Sequence, residues 1–277
     1  MAVVPEGHVI HRLARSHSDM LGGQPMRASS PQGRFAAGAA QLDGATLLSA
    51  DAHGKHLFHR YAAKSDEPLW LHVHLGLYGS FSAGTSPAPP PVGQVRLRWE
   101  NPQTYVDLRG PSACELITEG ERDELRARLG ADPLRADADP ARAGERISRS
   151  RAPIGQLLLD QSVVAGVGVA YRAEALFRLG VHPWRPGREL GSAGWQALWG
   201  DLSELMRDGV RAGRIDTVRP EHTPEAMHRP PRQDRHGGEV YVYRRAGQPC
   251  LVCGEVVRRG ELAARNLYWC PRCQPPA

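Results

Sequence analysis

The feature that most constrains this chain is a set of four cysteines close to its C-terminal end. Cys250 and Cys253 form one C-x2-C pair, and Cys270 and Cys273 form a second pair after sixteen intervening residues. Two such pairs at this separation are typical of a zinc ribbon, in which two tight turns hold the metal and a short β-hairpin joins them. Because four thiolates leave no open coordination position, we expect one Zn²⁺ with a structural role.

The composition is that of a globular protein with one to three domains. The chain has 277 residues, of which 41% are hydrophobic, enough to bury a core. It has no run of eighteen apolar residues and no apolar segment near its start, so we expect neither a membrane span nor a secretion signal. In the reducing cytoplasm that this implies, paired C-x2-C motifs favour metal binding over disulfides. The fifth cysteine, Cys114, is expected to be a small buried apolar residue.

The positive charge of the chain is concentrated around the four cysteines. Residues 1–118 and 119–228 carry net charges of +1 and −1, whereas residues 229–277 hold nine Lys and Arg against four Asp and Glu, a net of +5. A basic zinc module suggests a polyanionic partner such as nucleic acid. A solvated basic tail explains the charge equally well, so both interpretations stay open at this point.

Hydrophobic periodicity predicts an α+β protein with three parts. Period-two alternation over residues 69–77 and 95–99 predicts strands, residues 82–93 are rich in Pro, Gly and Ser and predict a loop, and residues 7–19 predict a helix. Helical spacing appears over residues 154–158, 169–179 and 195–206, and residues 219–239 resemble a linker or mobile loop. We therefore predict a β-rich domain at 1–118, a helical domain at 119–228, and a linker with a zinc finger at 229–277.

A glycine-rich turn between two predicted helices is the second informative segment. Residues 159–174 read LDQSVVAGVGVAYRAE, in which Gly166 and Gly168 allow a tight turn and a close approach of the backbone to a ligand. The NH groups at the start of the second helix would suit a phosphate. Two glycines alone are more typical of an ordinary helical hairpin than of a ligand-binding turn. The neighbouring residues are needed to distinguish the two.

Those neighbours resemble the helix–two-turn–helix of the formamidopyrimidine-DNA glycosylase and endonuclease VIII family. Five blocks in the family's order carry the resemblance: Pro5-Glu6-Gly7-His8, Gly54-Lys55, His74-Leu75-Gly76-Leu77, the segment from Asp160 to Glu174, and the cysteine ribbon with Arg265. Details around Gly33-Arg34-Phe35 and Gly54–Phe58 are most similar to the actinobacterial branch of endonuclease VIII. The resemblance implies an N-terminal β-sandwich with flanking helices, a helical DNA-binding domain and a zinc ribbon.

The resemblance also implies a DNA glycosylase with abasic-site lyase activity on oxidised bases, with pyrimidines as the expected substrates. In such an enzyme the amine of an N-terminal proline, here Pro5, attacks C1′ of the damaged nucleotide and forms a Schiff base. Glu6 would act as the general acid, and Lys55 would contact a phosphate and assist base removal. No cofactor besides the structural zinc is implied. We expect a cytoplasmic monomer that associates with the nucleoid when it binds damaged DNA.

The remaining expected DNA contacts come from the same resemblance. Leu77 matches an intercalating position, where an apolar wedge fills the gap left by a flipped base. His74, Tyr243 and Arg265 match phosphate contacts, and Gly168 lies on the turn that approaches the DNA. Taken alone, Leu77 fits a buried strand and Arg265 fits a solvated surface charge.

The chain departs from the family pattern at its start. Pro5 follows Met1-Ala2-Val3-Val4, and a proline inside a chain has an amide nitrogen that cannot form a Schiff base. Translation from codon 4, with a GTG start and removal of the initiator methionine, would make Pro5 the N-terminus. Alternatively, Ala2 supplies a primary amine, or the protein binds damaged DNA without lyase activity.

Two further positions depart from the family pattern, and the departures near the expected functional residues favour a divergent paralogue. Val169 stands where the family usually has an asparagine that contacts a phosphate, and losing that hydrogen bond weakens binding by about 1–2 kcal/mol. Leu267 stands in the finger where threonine is common. A catalytic glycosylase and a DNA-binding paralogue of the same fold therefore both stay open.

Overall fold

The computed structural model describes residues 5–62, 68–234 and 238–276. It divides into two compact units: unit 1 contains Pro5 and Val9–Arg128, and unit 2 contains Glu6–His8 together with the chain from Leu129 onward. The α+β fold class is confirmed, with β-sheets first, helices next and a zinc-finger hairpin last. The predicted boundaries of three domains stay a prediction.

Unit 1 is built from two four-stranded antiparallel sheets. One sheet has the order β1-β6-β7-β5 and the other has the order β2-β3-β4-β8. The strands are β1 (Arg27–Ser29), β2 (Thr46–His53), β3 (His56–Ala62), β4 (Leu69–His74), β5 (Ser80–Thr85), β6 (Val95–Glu100), β7 (Thr104–Arg109) and β8 (Ala113–Ile117). Three helices accompany them: α1 (Gly7–Leu21), α2 (Ala36–Leu42) and α3 (Glu119–Ala127).

The alternating strand residues supply one shared core. Leu71 and Val73 of β4 pack in the same buried cluster as Leu97 and Trp99 of β6, so the two sheets face each other as a sandwich. The helix predicted at residues 7–19 and the strand predicted at 95–99 are confirmed. The strand predicted at 69–77 is confirmed for residues 69–74 and wrong for residues 75–77, which lead into a turn.

The loop predicted over residues 82–93 is wrong in its first part. Residues 82–85 continue β5, which pairs with β7 and forms an edge of its sheet within the described residues. Small polar residues are tolerated there because an edge strand with exposed side chains needs no apolar face. The composition of residues 82–85 therefore did not indicate a strand, because this strand is stabilised by backbone hydrogen bonds to β7.

Unit 2 contains the other helices and a hairpin. Its helices are α4 (Pro140–Ser148), α5 (Ile154–Leu157), α6 (Val169–Arg178) and α7 (Gly191–Ala212), and its strands are β9 (Arg258–Leu262) and β10 (Arg265–Trp269). The helices predicted near 154, 169 and 195 are confirmed. Residues 223–234 of the predicted linker have no helix or strand, and residues 235–237 lie outside the described part. No helix in the described ranges is long and apolar enough to cross a membrane.

Two buried histidines lie in the core of unit 1. His17 Nδ1 is 3.0 Å from His59 Nε2, and His59 Nδ1 is 2.9 Å from the Tyr61 hydroxyl. Both histidines are almost fully buried. Burial lowers the pKa of His17 to about 4 and the pKa of His59 well below its usual value. Both rings are therefore neutral in the folded protein near pH 7.

We expect the free energy of unfolding to fall as the pH falls below about 6.5. The unfolded chain then binds protons at His17 and His59 while the folded chain does not, at a cost of up to about 1.4 kcal/mol per pH unit for each ring. For His17 the loss ends near the folded pKa of about 4. Urea unfolding followed through hydrogen exchange of β3 amides between pH 7 and 5 checks this.

His17→Gln, which keeps a polar side chain without the titration, should lower that pH slope by up to half. A wild-type free energy of unfolding that is constant between pH 6.5 and 5 would contradict the burial of two neutral histidines.

Candidate functional site

The carboxylate of Glu6 binds the N-terminus of helix α6. One oxygen accepts a hydrogen bond from the Ala170 amide at 2.8 Å, and the other accepts from the Gly168 amide at 2.9 Å and from the Tyr171 amide at 3.4 Å. Glu6 is only 2% exposed. Since these amides are the ones a helix start leaves without partners, Glu6 caps α6 from a distant part of the sequence.

Glycines make this approach possible. A Cβ on Gly168 would lie 2.3 Å from the carboxyl carbon of Glu6, and a Cβ on Gly7 would lie 2.9 Å from Gly166 Cα. Gly7 also donates its amide to the Gly166 carbonyl at 2.8 Å. The glycine pattern predicted a close backbone approach to a ligand; in the structure the group that approaches is the carboxylate of Glu6.

A second buried carboxylate on α6 holds the segment that contains Tyr243. Glu174 is fully buried and accepts hydrogen bonds from the amides of Tyr241, Val242 and Tyr243 at 2.7–2.8 Å. It also accepts from the Thr217 hydroxyl at 2.5 Å. Four donors on one buried carboxylate compensate for its lost hydration and fix this stretch of backbone.

An arginine on the same helix reaches the hairpin. Arg172 is fully buried and donates to the Asn266 carbonyl at 2.6 Å, one residue from Arg265. Burial lowers the pKa of Arg172 to about 10, so the guanidinium stays charged near neutral pH. Helix α6 therefore holds Glu6 at its start and, through Arg172 and Glu174, the two segments that contain Arg265 and Tyr243.

The four cysteines form one metal-binding cluster. Their sulfurs all lie within 4.8 Å of one another, with Cys250 and Cys273 at 3.8 Å and Cys253 and Cys270 at 3.5 Å. A tetrahedral site with Zn–S bonds of about 2.3 Å places its sulfurs about 3.8 Å apart. The residues therefore fit one structural zinc, as the spacing predicted.

The zinc hairpin ends in a strained turn next to Arg265. Ala263 and Ala264 connect β9 to β10 with φ angles of 53° and 55°, a conformation that side chains with a Cβ rarely adopt. Arg265 is exposed immediately after this turn, whereas Leu267 is fully buried. A leucine at position 267 therefore contributes to packing in the finger.

The remaining predicted residues of unit 1 lie at one end of the second sheet. Lys55 is half-buried in the turn between β2 and β3, and His74 ends β4. Burial, followed by the charges of His72 and Lys55, lowers the pKa of His74. Leu77 lies in the turn after β4 and is 49% exposed, so its interpretation as a buried strand residue is wrong.

Each unit contains part of the predicted site. Unit 1 contains Pro5, Lys55, His74 and Leu77, and unit 2 contains Glu6, Gly168, Tyr243 and Arg265. Pro5 and Tyr243 are buried, the latter with 5% exposure and with its pKa raised to about 12 by burial. Residues 1–4, on which the question of the mature N-terminus and the Ala2 alternative depend, lie outside the described residues.

Sequence reasoning missed the structural roles of Arg172 and Glu174. Both are charged residues in the otherwise apolar stretch Ala170–Phe177, and all eight residues of this stretch are buried. That contrast was the available signal, because a buried charge requires a partner. Val169, which departs from the family pattern, packs against the core of unit 2.

We expect Gly168→Ala to lower the stability of unit 2 by about 3 kcal/mol. The added Cβ would displace the Glu6 carboxylate and break its bonds to α6. Gly200→Ala is the matched control because a Cβ there meets nothing within 4 Å in helix α7. Thermal unfolding with hydrogen exchange of the Ala170 and Tyr171 amides provides the measurement. Equal stability of the two variants would contradict the close approach.

Removal of the zinc should unfold the hairpin. We expect one zinc per chain and, after chelation, loss of hydrogen-exchange protection in β9 and β10. Cys270→Ser should abolish metal binding, whereas Cys114→Ser should retain it, since Cys114 lies outside the cluster. Full protection of the hairpin in the zinc-free protein would contradict a structural role.

Three family models match successive parts of the chain. They are the formamidopyrimidine-DNA glycosylase N-terminal domain at residues 4–114, the formamidopyrimidine-DNA glycosylase H2TH domain at residues 129–219, and the zinc finger found in FPG and IleRS at residues 247–276. Together they follow the order of the observed elements.

Relatives match along almost the whole chain. Endonuclease 8 1 of Mycobacterium tuberculosis is 51% identical over 275 residues, covering 98% of this chain and 100% of the relative. Probable endonuclease 8 2 of Streptomyces coelicolor is 33% identical over 284 residues, covering 98% of this chain and 94% of the relative. The crystal structure of a Lactococcus lactis FPG mutant with a Fapy-dG-containing DNA has a TM-score of 0.79 at 22% identity, covering 98% of this chain and 100% of that one, and supports the fold alone.

The ordered matches to all three family models and the 51% identity to a mycobacterial relative lead to one conclusion. This chain belongs to the formamidopyrimidine-DNA glycosylase and endonuclease VIII family of bifunctional DNA glycosylases and abasic-site lyases, in its actinobacterial endonuclease VIII branch.

Proposed function

We propose that this protein removes oxidised pyrimidines from damaged DNA and then cleaves the strand at the abasic site. The observation that supports this best is the Glu6 carboxylate, held by three backbone amides directly after Pro5. A proton carrier fixed beside a nucleophilic amine is what base removal with covalent catalysis requires.

The proposed nucleophile is the secondary amine of Pro5 after translation from codon 4. The match to the N-terminal family model begins at residue 4, which supports this register. The amine nitrogen bonds to C1′ as the C1′–N bond to the base breaks, and the base leaves with a proton. The C1′–O4′ bond then breaks as O4′ takes up a proton, which leaves an iminium at C1′. This iminium withdraws electrons from C2′, so loss of a C2′ proton breaks the C3′–O bond, and loss of a C4′ proton then breaks the C5′–O bond.

Glu6 is proposed to transfer the proton in the first step. In the structure its two oxygens accept three hydrogen bonds, so the free protein holds this side chain as an acceptor. A proton accepted there from the sugar or the amine can be returned to the departing group. Fixed amides keep the carboxylate in place without reorganisation during the reaction.

The proposed DNA contacts use side chains that are exposed or partly exposed, except for Tyr243, which is 5% exposed. Leu77 at 49% exposure is available as a wedge that fills the space of the flipped base. Arg265 presents a cation from the rigid zinc hairpin, and Lys55, His74 and Tyr243 are proposed to contact phosphates. Gly168 already donates its amide to Glu6, so its proposed contribution is a close approach of the backbone to the DNA.

A DNA-binding protein without lyase activity is the second candidate. It is favoured by Val169, whose apolar side chain cannot donate to a phosphate, and by the four residues that precede Pro5. The two candidates share the fold and differ in covalent chemistry.

Borohydride trapping separates the two candidates. Two proteins are compared, one beginning at Pro5 and one retaining residues 1–4, each with a duplex that carries an abasic site or an oxidised pyrimidine. We expect a covalent adduct with the first protein, and peptide mapping should place it on Pro5. If the protein that begins at Pro5 binds this DNA without forming an adduct, the lyase is excluded and the DNA-binding protein without lyase activity is supported.

Glu6→Gln should lower single-turnover base excision by about 100-fold or more. The amide cannot accept a proton, and its NH2 group would face a backbone NH donor. We expect affinity for uncleaved DNA to change by only a few-fold, and both quantities are measured on the same duplex. Excision at the parental rate would rule out this role for Glu6.

A further inference from the structure

A serine fixes the ring of His74 at the end of β4. His74 Nδ1 lies 2.7 Å from the Ser112 hydroxyl oxygen, and that hydroxyl also lies 2.9 Å from the His74 carbonyl oxygen. Ser112 immediately precedes β8, the strand that pairs with β4, and its amide donates to the same carbonyl at 2.9 Å. The imidazole is therefore tied to its own backbone through one side chain.

The single proton of this hydroxyl decides which ring nitrogen is protonated. The carbonyl oxygen only accepts, so both contacts are hydrogen bonds at once only when the hydroxyl donates its proton to that carbonyl. The 2.7 Å contact is then a hydrogen bond only if Nδ1 of His74 donates. The neutral ring consequently holds its proton on Nδ1 and leaves Nε2 as an acceptor.

The groups around His74 favour this neutral ring. His72 lies two residues earlier on β4, His56 of β3 has its ring centroid 4.8 Å away, and Lys55 lies in the adjoining turn. On β8, Glu115 accepts from His72 Nδ1 at 2.9 Å, and His72 Nε2 lies 2.9 Å from His56 Nδ1. The carboxylate that faces this cluster is thus paired with His72.

We infer that His74 binds a DNA phosphate only as the imidazolium, so that binding takes up a proton, and that Ser112 is the positioning residue that imposes this requirement. The inference rests on the proposed DNA binding by His74. A phosphate oxygen offers only acceptors, and the neutral ring with its proton on Nδ1 has no donor left at Nε2. The ring must therefore gain a second proton before it can contact the phosphate.

This requirement makes affinity depend on pH. Burial and the charges of His72 and Lys55 lower the pKa of His74 in the free protein, and a bound phosphate favours the charged ring. At pH values between the pKa of His74 in the free protein and its higher pKa in the complex, the association constant should fall by up to about tenfold for each unit rise in pH. Without Ser112 the neutral ring can place its proton on Nε2 and donate to the phosphate, so the dependence should weaken.

The test measures affinity for a duplex with a stable abasic analogue between pH 6 and 8.5 at constant salt. Wild type and Ser112→Thr should show the same steep decrease with pH, because threonine retains the hydroxyl. Ser112→Ala should show a shallower decrease, and His74→Gln gives the pH dependence of all other groups. Ser112 is exposed, so its replacement leaves the core intact.

Nitrogen-15 NMR of the free protein provides a second readout. We expect the neutral His74 ring to be protonated on Nδ1 in wild type and to shift toward Nε2 protonation in Ser112→Ala. Wild-type and His74→Gln affinities with equal pH dependence, or a wild-type ring protonated on Nε2, would overturn the inference. Absence of wild-type binding at every pH would instead contradict the proposed function, and the inference would fall with it.

Discussion

The capping of helix α6 by Glu6 is the interaction on which the part of the candidate site in unit 2 depends. A carboxylate that is 2% exposed is stable here because three backbone amides and the positive end of the helix compensate for its lost hydration. The same contact fixes the chain directly after Pro5. A Cβ at position 168 would overlap the carboxyl group of Glu6, so the glycine is required for Glu6 to reach the amides of α6.

Helix α6 extends this constraint through unit 2. Its two buried charged residues act in opposite ways: Glu174 accepts amide donors from residues 241–243, whereas Arg172 donates to the zinc hairpin. The zinc ribbon is thus held at two places. The four cysteines bind the metal, and Arg172 binds the backbone next to Arg265. A ten-residue helix therefore sets the positions of Glu6, Tyr243 and Arg265 relative to one another within this unit.

The parts that local chemistry determines were predictable from the sequence. The C-x2-C spacing specified the metal cluster, and the 3.6-residue period located α7. Contacts over long sequence separations could not be predicted: Glu174 and its partners lie 43–69 residues apart, and Arg172 lies 94 residues from Asn266. The edge strand β5 was missed because its exposed polar residues carry no apolar period. His74 was identified only by resemblance, and its bond to Ser112 requires the pairing of β4 with β8.

We expect Glu6 and Gly168 to act as one unit in base excision. A double-mutant cycle on single-turnover base excision, with Glu6→Gln, Gly168→Ala and the combined variant, measures the coupling between them. If the added methyl group acts by displacing the carboxylate, the double variant should be no slower than Glu6→Gln alone, giving a large coupling energy. Rate losses that multiply independently in the double variant would show that the two residues act separately.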